Sequence, residues 1–176
     1  TAISTRGDAT TIINKAGNGT VKINGDINFN YDAPTSGTDV DATVDINLNN
    51  SQSYLNGNIF VNGNPYPPSG KDEVNAMILG VSNGAVWTSD KDSFVNNLTV
   101  KDGGIINMAG NGQKLSIDNL TADSAIVKTN DVNNQMVVSK DANAQNVTVE
   151  GSGAIADQIA AGETDASKLA DVVVKK

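Results

Sequence analysis

The chain has 176 residues, only 4% of them aromatic, and carries a net charge of −8 with a pI near 4.3. This charge argues against nucleic-acid binding, because a run of phosphates must be neutralised by Lys and Arg, and against contact with an anionic membrane surface. The sequence contains no Cys and no His, which excludes disulfides, thiolate and imidazole metal ligands, and triads built on these residues. We therefore expect a protein that is not an enzyme and uses no cofactor.

Short apolar runs recur along the chain, most of them three to five residues long and bounded by turn-forming residues. Successive runs are often about ten residues apart, which is typical of all-β proteins. The 24 Asn and 17 Gly residues supply the turns, because both residue types tolerate positive φ. In chain order the runs occupy residues 21–23, 27–29, 44–48, 59–61, 77–79, 85–87, 95–100, 105–108, 115–117, 125–127, 136–138 and 147–149.

Two all-β architectures fit this pattern. An antiparallel sandwich would use the Asn-Gly pairs as hairpin turns, and residues 21–29 read as one such hairpin around Asn24-Gly25. A right-handed parallel β-helix would use the same pairs as corners of coils of about 20–25 residues, where Asn side chains stack on their neighbours in the next coil.

Strand length favours the second architecture. Sandwich strands usually run to about five or six residues, and a shorter strand buries too little there, whereas stacked coils bury each short strand between neighbours on both sides. We therefore predict an all-β fold, a right-handed parallel β-helix (solenoid) over residues 1–153, with a short helical C-terminal tail.

Two segments depart from the repeated pattern. Residues 64–76 begin with a Pro-rich stretch that cannot continue a hydrogen-bonded ladder and are predicted to form a protruding loop. Residues 154–176 form the predicted helical tail or cap, since residues 154–161 show a helical pattern that ends at Gly162.

Carboxylates are the remaining candidates for chemistry. A carbohydrate-active β-helix enzyme, the alternative function, would need carboxylates that converge from adjacent coils. The sequence places only Asp39, Asp41 and Asp45 close together. The Asp39-Val40-Asp41 stretch lacks the glycine and the terminal Glu of a calcium-binding EF-hand loop. We therefore predict no catalytic residue and no metal site.

One short motif has a binding interpretation. Arg6, Gly7 and Asp8 form the Arg-Gly-Asp tripeptide that integrins recognise. A tripeptide recurs readily by chance, and near a chain end it is also simply a turn. These three residues are the predicted binding residues.

The segment from Ala85 to Val149 resembles the C-terminal part of pertactin-like autotransporter passengers. The family's blocks Ala-x-Trp, Val-x-x-Leu-x-Leu, Gly-Gly-x-Ile/Val and Leu-x-Ile/Val-x-Asn-Leu have counterparts here in the same order. Those counterparts are residues 85–87, 95–100, 103–106 and 115–120. Two further blocks follow at residues 126–130 and 134–142.

The resemblance implies a fragment of a passenger that is exposed on, or secreted from, a Gram-negative bacterium, and whose parent chain carries an outer-membrane barrel. It implies a structural and adhesive role, with a host surface protein or glycan as partner. The alternative among adhesive proteins is an adhesin with an antiparallel sandwich fold. Residues 85–149 would be an autochaperone-type segment that promotes folding during secretion. Its predicted core and folding residues are Trp87, Val95, Leu98, Val100, Gly103, Gly104, Leu115 and Leu120.

Overall fold

The computed structural model of the protein describes residues 1–6, 9–30, 42–61, 77–131, 133–151 and 174–175. Within these ranges the chain forms β-strands and no helix, which confirms the predicted all-β class. The strands are β1 (Ile3–Arg6), β2 (Thr10–Ile13), β3 (Lys22–Asn24), β4 (Ile27–Asn30), β5 (Thr43–Leu48), β6 (Tyr54–Asn56), β7 (Ile59–Val61), β8 (Met77–Ser82), β9 (Val86–Ser89), β10 (Ser93–Lys101), β11 (Ile105–Met108), β12 (Lys114–Asp123), β13 (Ile126–Thr129), β14 (Gln135–Gln145), β15 (Thr148–Gly151) and β16 (Val174–Lys175).

All pairings between the described strands are parallel. Sheet A has the order β1-β4-β7, sheet B the order β2-β5-β8-β10-β12-β14-β16, and sheet C the order β3-β6-β9-β11-β13-β15. Up to β9 the chain visits sheets A, B and C in rotation, and from β10 to β15 it alternates between sheets B and C. Each turn of the chain thus stacks on the previous one. This arrangement is compatible with a parallel β-helix.

The antiparallel sandwich is therefore wrong for the described residues. The hairpin expected around Asn24-Gly25 does not form, because β3 belongs to sheet C and β4 to sheet A. Gly25 has a φ of 119° and instead turns the chain from one sheet into the next.

The number of residues in one turn of the chain changes along the stack. In the first part Asn58 bonds to Asp26, 32 positions earlier. In the later part Asn119 bonds to Asn97, 22 positions earlier. The predicted coil of about 20–25 residues thus fits the later turns and the step from Ile3 to Ile27, which pair in register, but not the longer turns between them.

The change occurs at β10. Ile59 in β7 donates its backbone N–H to Ser93 Oγ at 3.1 Å, 34 positions ahead, so β10 begins over sheet A. From Asn97 to Lys101 the same strand pairs with β8 in sheet B. One long strand thus replaces two short ones, and β10, β12 and β14 have 9, 10 and 11 residues. The apolar runs predicted only the inner part of each.

The core lies between the three sheets and consists of rows of identically oriented aliphatic side chains. Ile46, Leu79, Leu98 and Leu120 share one register position of sheet B, and none is more than 3% exposed. Burying each such side chain contributes roughly 1.5–3 kcal/mol. The apolar residues predicted for the core are all buried, namely Trp87, Val95, Leu98, Val100, Leu115 and Leu120.

The corners between sheets B and C contain one left-handed residue other than glycine in each of the later coils. Asn83, Asp102, Ser124 and Asn146 have φ values of 54°, 51°, 55° and 53°. Short polar side chains tolerate this conformation because they hydrogen-bond locally. The predicted use of an Asn-Gly pair as a coil corner is confirmed at Asn83-Gly84, where both residues have positive φ.

Two adjacent glycines at the next corner serve different purposes. Gly103 has a φ of 78°, whereas a Cβ on Gly104 would overlap the backbone carbonyl oxygen of Val81. We expect Gly104→Ala to destabilise the fold by about 3 kcal/mol through overpacking against a fixed carbonyl. Gly103→Asn is the matched control and should cost under about 1 kcal/mol, since Asn adopts positive φ readily. Urea unfolding followed by Trp87 fluorescence measures both losses, and equal losses would contradict the assignment.

Several predicted features lie outside the described residues. These are the loop at 64–76, Gly7, Asp8, Asp39 and Asp41, and the tail up to residue 173. Of residues 154–176, Val174–Lys175 are described, and they form strand β16 on β14 rather than a helix.

Candidate functional site

A buried polar network occupies the corner between sheets C and A. Asn58 Oδ1 accepts a hydrogen bond from Ser89 Oγ at 3.0 Å, and the same Oγ accepts one from Gln113 Nε2 at 2.7 Å. Gln113 donates its backbone N–H to Asn134 Oδ1 at 2.7 Å. None of these four residues is more than 6% exposed. Pairing offsets the cost of burying such polar groups, so the network fixes one coil on the next.

A second buried polar group lies where the long strands bend from sheet A into sheet B. Asp118 is 8% exposed and accepts hydrogen bonds from Asn96 Nδ2 at 3.2 Å and Ser139 Oγ at 2.8 Å. Lys140 Nζ lies 3.3 Å from Oδ2, the oxygen that also accepts from Asn96. Because its oxygens are occupied by structural partners from both neighbouring strands, this carboxylate holds the bend in place.

Two carboxylates meet at one surface groove, which we call the Asp26–Asp90 groove. Asn58 Nδ2 donates to Asp26 Oδ1 at 3.1 Å and to Asp90 Oδ1 at 2.8 Å. The groove encloses about 490 Å³, and its wall also includes Asn56, Thr88 and Lys91. Sequence reasoning missed this pair because Asp26 and Asp90 are far apart in the chain. The signal was a spacing of 32 positions on either side of Asn58.

A second groove crosses the outer face of sheet B, and we call it the Gly80 groove. It encloses about 250 Å³ above Gly80 in β8. Asn47 on β5 and Thr99 on β10 occupy the same register position on either side of Gly80. The other polar groups at its edge are Asn49, Ser82 and Lys101.

The edge of the Gly80 groove is held in place by hydrogen bonds. Ser82 Oγ donates to Asn49 Oδ1 at 2.7 Å, and Asn83 Nδ2 donates to the same oxygen at 2.6 Å. Asn49 Nδ2 in turn donates to the backbone oxygen of Gly17 at 2.8 Å. The Asn49 side chain is therefore held in one orientation at the wall of the groove.

The charges beside this groove have different partners. Asp45 lies 3.9 Å from Lys15 Nζ. Asp123, the register neighbour of Lys101, accepts hydrogen bonds from Asn146 and Gln145, which lower the pKa of Asp123 below its ordinary value of 3.8. Within the described ranges Lys101 has no ion pair, so its ammonium group is available at the groove.

The predicted site residues are only partly placed. Arg6 ends strand β1, while Gly7 and Asp8 lie outside the described residues, so the integrin-type motif stays a prediction. Asp45 is on the outer face of β5. Its register neighbours are Ile12 and Ile78, so it is not stacked on Asp26 or Asp90. The described residues contain no group of three Asp or Glu side chains that would hold a metal ion.

Comparison of the chain with protein-family models, with curated proteins and with solved structures finds no match of any of the three kinds. Among the residues that the structure describes, no helix has the length and hydropathy needed to cross a bilayer.

Proposed function

We propose that this chain is part of a right-handed parallel β-helix from an autotransporter passenger, exposed on or released from a Gram-negative bacterium, with a structural and adhesive role. The observation that carries the proposal is the parallel stacking of every described strand pair along three sheets. Connections between parallel strands of one sheet are right-handed in nearly all proteins, which supports the handedness. The resemblance of residues 85–149 to pertactin-like passengers supports the class.

Within this function, residues 85–149 promote folding of the passenger. Their coils are shorter, so the contacts between successive strands close smaller loops and cost less chain entropy. Their long strands pair over more residues, and β12 pairs with β10 from Ser93↔Leu115 to Lys101↔Asp123. A stack of this kind nucleates at its most stable unit and grows by adding neighbours.

Pulse-labelling hydrogen exchange during refolding of the full chain tests this order. We expect the amides of β10, β11 and β12 to become protected first, and those of β4, β5 and β6 later, because the latter need longer loops to close. The protection of the same amide against exchange in the folded chain at equilibrium serves as its control. Earlier or simultaneous protection of β4 to β6 would contradict the folding role.

A carbohydrate-active enzyme is the second candidate, and one observation favours it. Asp26 and Asp90 come from different coils to one groove of about 490 Å³. Acid and base roles, however, arise from carboxylates in contrasting environments. Here Asp26 and Asp90 both accept a hydrogen bond from the Asn58 side-chain amide, and Asp26 also accepts one from the Asn58 backbone N–H. These bonds join successive corners, which favours a structural role over catalysis.

A further inference from the structure

Gly80 is out of place in the middle of a β-strand. Glycine weakens a strand, and where it occurs it marks a bulge, a sharp bend or the close approach of another backbone or a ligand. The register of β8 is continuous with both β5 and β10, which excludes a bulge. Among the described residues only Asn47 comes within 4 Å of a Cβ placed on Gly80, most closely through its side-chain oxygen at 3.0 Å. Gly80 therefore leaves room for the Asn47 side chain, which lies over it, and the groove opens beside that side chain.

Three of the polar side chains around this space are uncommitted. In the described part of the chain neither the side-chain amide of Asn47 nor the hydroxyl of Thr99 has a hydrogen bond, and Lys101 has no ion pair. Ser82 donates its proton to Asn49 and keeps its oxygen lone pairs for a further donor. Donors and acceptors thus converge on one opening.

The outer face beyond the groove is different. Asn119 Nδ2 donates to Asn97 Oδ1 at 2.9 Å, and Gln145 Nε2 donates to Asp123 Oδ2 at 2.8 Å. In these rows side chains on successive strands satisfy one another. The row that contains Gly80 interrupts this pattern, because glycine offers no side chain to Asn47 or Thr99.

We propose that the Gly80 groove binds a sugar ring of a neutral glycan, a proposal that rests on the adhesive part of the proposed function. A sugar ring carries hydroxyls that both donate and accept, as do the Asn47 amide and the Thr99 hydroxyl. Asn47 and Thr99 stand two strands apart, about 9.6 Å, and both face the opening. The Asn47 side chain, which lies over Gly80, forms the floor against which the ring packs.

The charge balance selects a neutral ligand over an anionic one. Lys101 is the single cation at the groove, and the chain has a net charge of −8. Phosphate or sulfate groups are bound by clustered cations or by several convergent donors. In this groove Asn47, Ser82 and Thr99 also present acceptor oxygens. Lys101 is therefore assigned as a donor to a ring hydroxyl.

The test uses the full chain on an array of immobilised glycans that holds neutral hexose and N-acetylhexosamine chains beside sialylated and sulfated chains. We expect binding to neutral chains, weakened about tenfold or more by Gly80→Thr, which fills the groove, and by Thr99→Val, which removes one hydroxyl. Thr121→Val, one strand further along the same row, is the matched control and should bind like the natural chain. Gly80→Thr displaces the Asn47 amide, whose oxygen would lie 3.0 Å from the new Cβ, but Thr favours strands, so the variant should still fold, as its cooperative thermal unfolding will show.

Three results would overturn the proposal: no neutral chain bound, binding only to sulfated or sialylated chains, or undiminished binding by Gly80→Thr. Adhesion of the natural chain and of Gly80→Thr to cultured epithelial cells separates this proposal from the adhesive function itself. Equal adhesion by both proteins would show that the groove is not the glycan-binding site and would leave the adhesive function supported. Absence of adhesion by the natural chain would remove the adhesive function.

Discussion

A fragment comprising residues 85–176 is expected to refold on its own from denaturant, whereas a fragment comprising residues 1–84 is expected to remain unfolded. The first fragment retains β9 to β15, including the long strands β10, β12 and β14. It also retains most of the buried polar network, with Ser89, Gln113 and Asn134 still paired. The second fragment consists of strands of three to six residues, and apart from β1 and β4 their stacking partners are more than thirty positions apart.

Far-UV circular dichroism and urea titration measure this difference, with the full chain under the same conditions as the reference. The longer fragment should show a single cooperative transition, and the shorter one a featureless baseline. Equal refolding of both fragments, or of neither, would remove the claim that folding nucleates in residues 85–149.

Replacing Trp87 by Ala is expected to cost about 3–5 kcal/mol of stability, which is typical of a large aromatic removed from a closed core. Trp87 is fully buried and stacks between Leu55 and Ile106 in register. Its Nε1 donates a hydrogen bond to the backbone oxygen of Gly57 at 3.0 Å, and that oxygen loses this donor in the variant. Trp87 lies in β9, the first strand of the segment with short coils. Its hydrogen bond thus links this segment to the corner at Gly57 in the preceding long coil.

The comparison with Val21→Ala shows whether Trp87 acts early in folding. Val21 is 8% exposed in the first coil, and its truncation should cost about 1 kcal/mol and act mainly on the unfolding rate. Trp87→Ala, and Leu98→Ala likewise, should slow refolding, with a φ-value near 1 against a value near 0 for Val21. Stopped-flow circular dichroism measures the rates, because the Trp87 variant lacks its fluorophore. A φ-value near 0 at Trp87 would show that its contacts form late.

Much of the fold could be predicted from local patterns. Each apolar run expected from the sequence overlaps a strand, and the Asn-Gly pair at Asn83 forms a corner. The long strands could not be predicted, since polar residues interrupt the alternation where these strands bend. Asn96 and Asp118 look like turn residues in the sequence, yet they hydrogen-bond to each other inside the stack. Such an inward polar pair depends on the neighbouring coil.

The candidate sites were harder to predict, because each is assembled by register. Asp26 and Asp90 become neighbours only when three corners stack. For the Gly80 groove the sequence held one signal, a single glycine inside an apolar strand pattern. What it did not contain was the identity of the flanking residues, Asn47 and Thr99, which come from strands on either side.

The aligned corners between sheets B and C also bear on how such a chain changes length over generations. Ile105 and Ile126 follow equivalent corners and pair directly with each other, as do Ile126 and Thr148. Excising residues 105–125 would therefore place Ile126 where Ile105 was, with Gly104 still leading into the strand. Unequal recombination between such equivalent points removes or adds whole turns of the chain and leaves the alternation of inward and outward side chains unchanged. The length of the strand stack then changes in fixed steps, while the number of residues in each remaining turn stays the same.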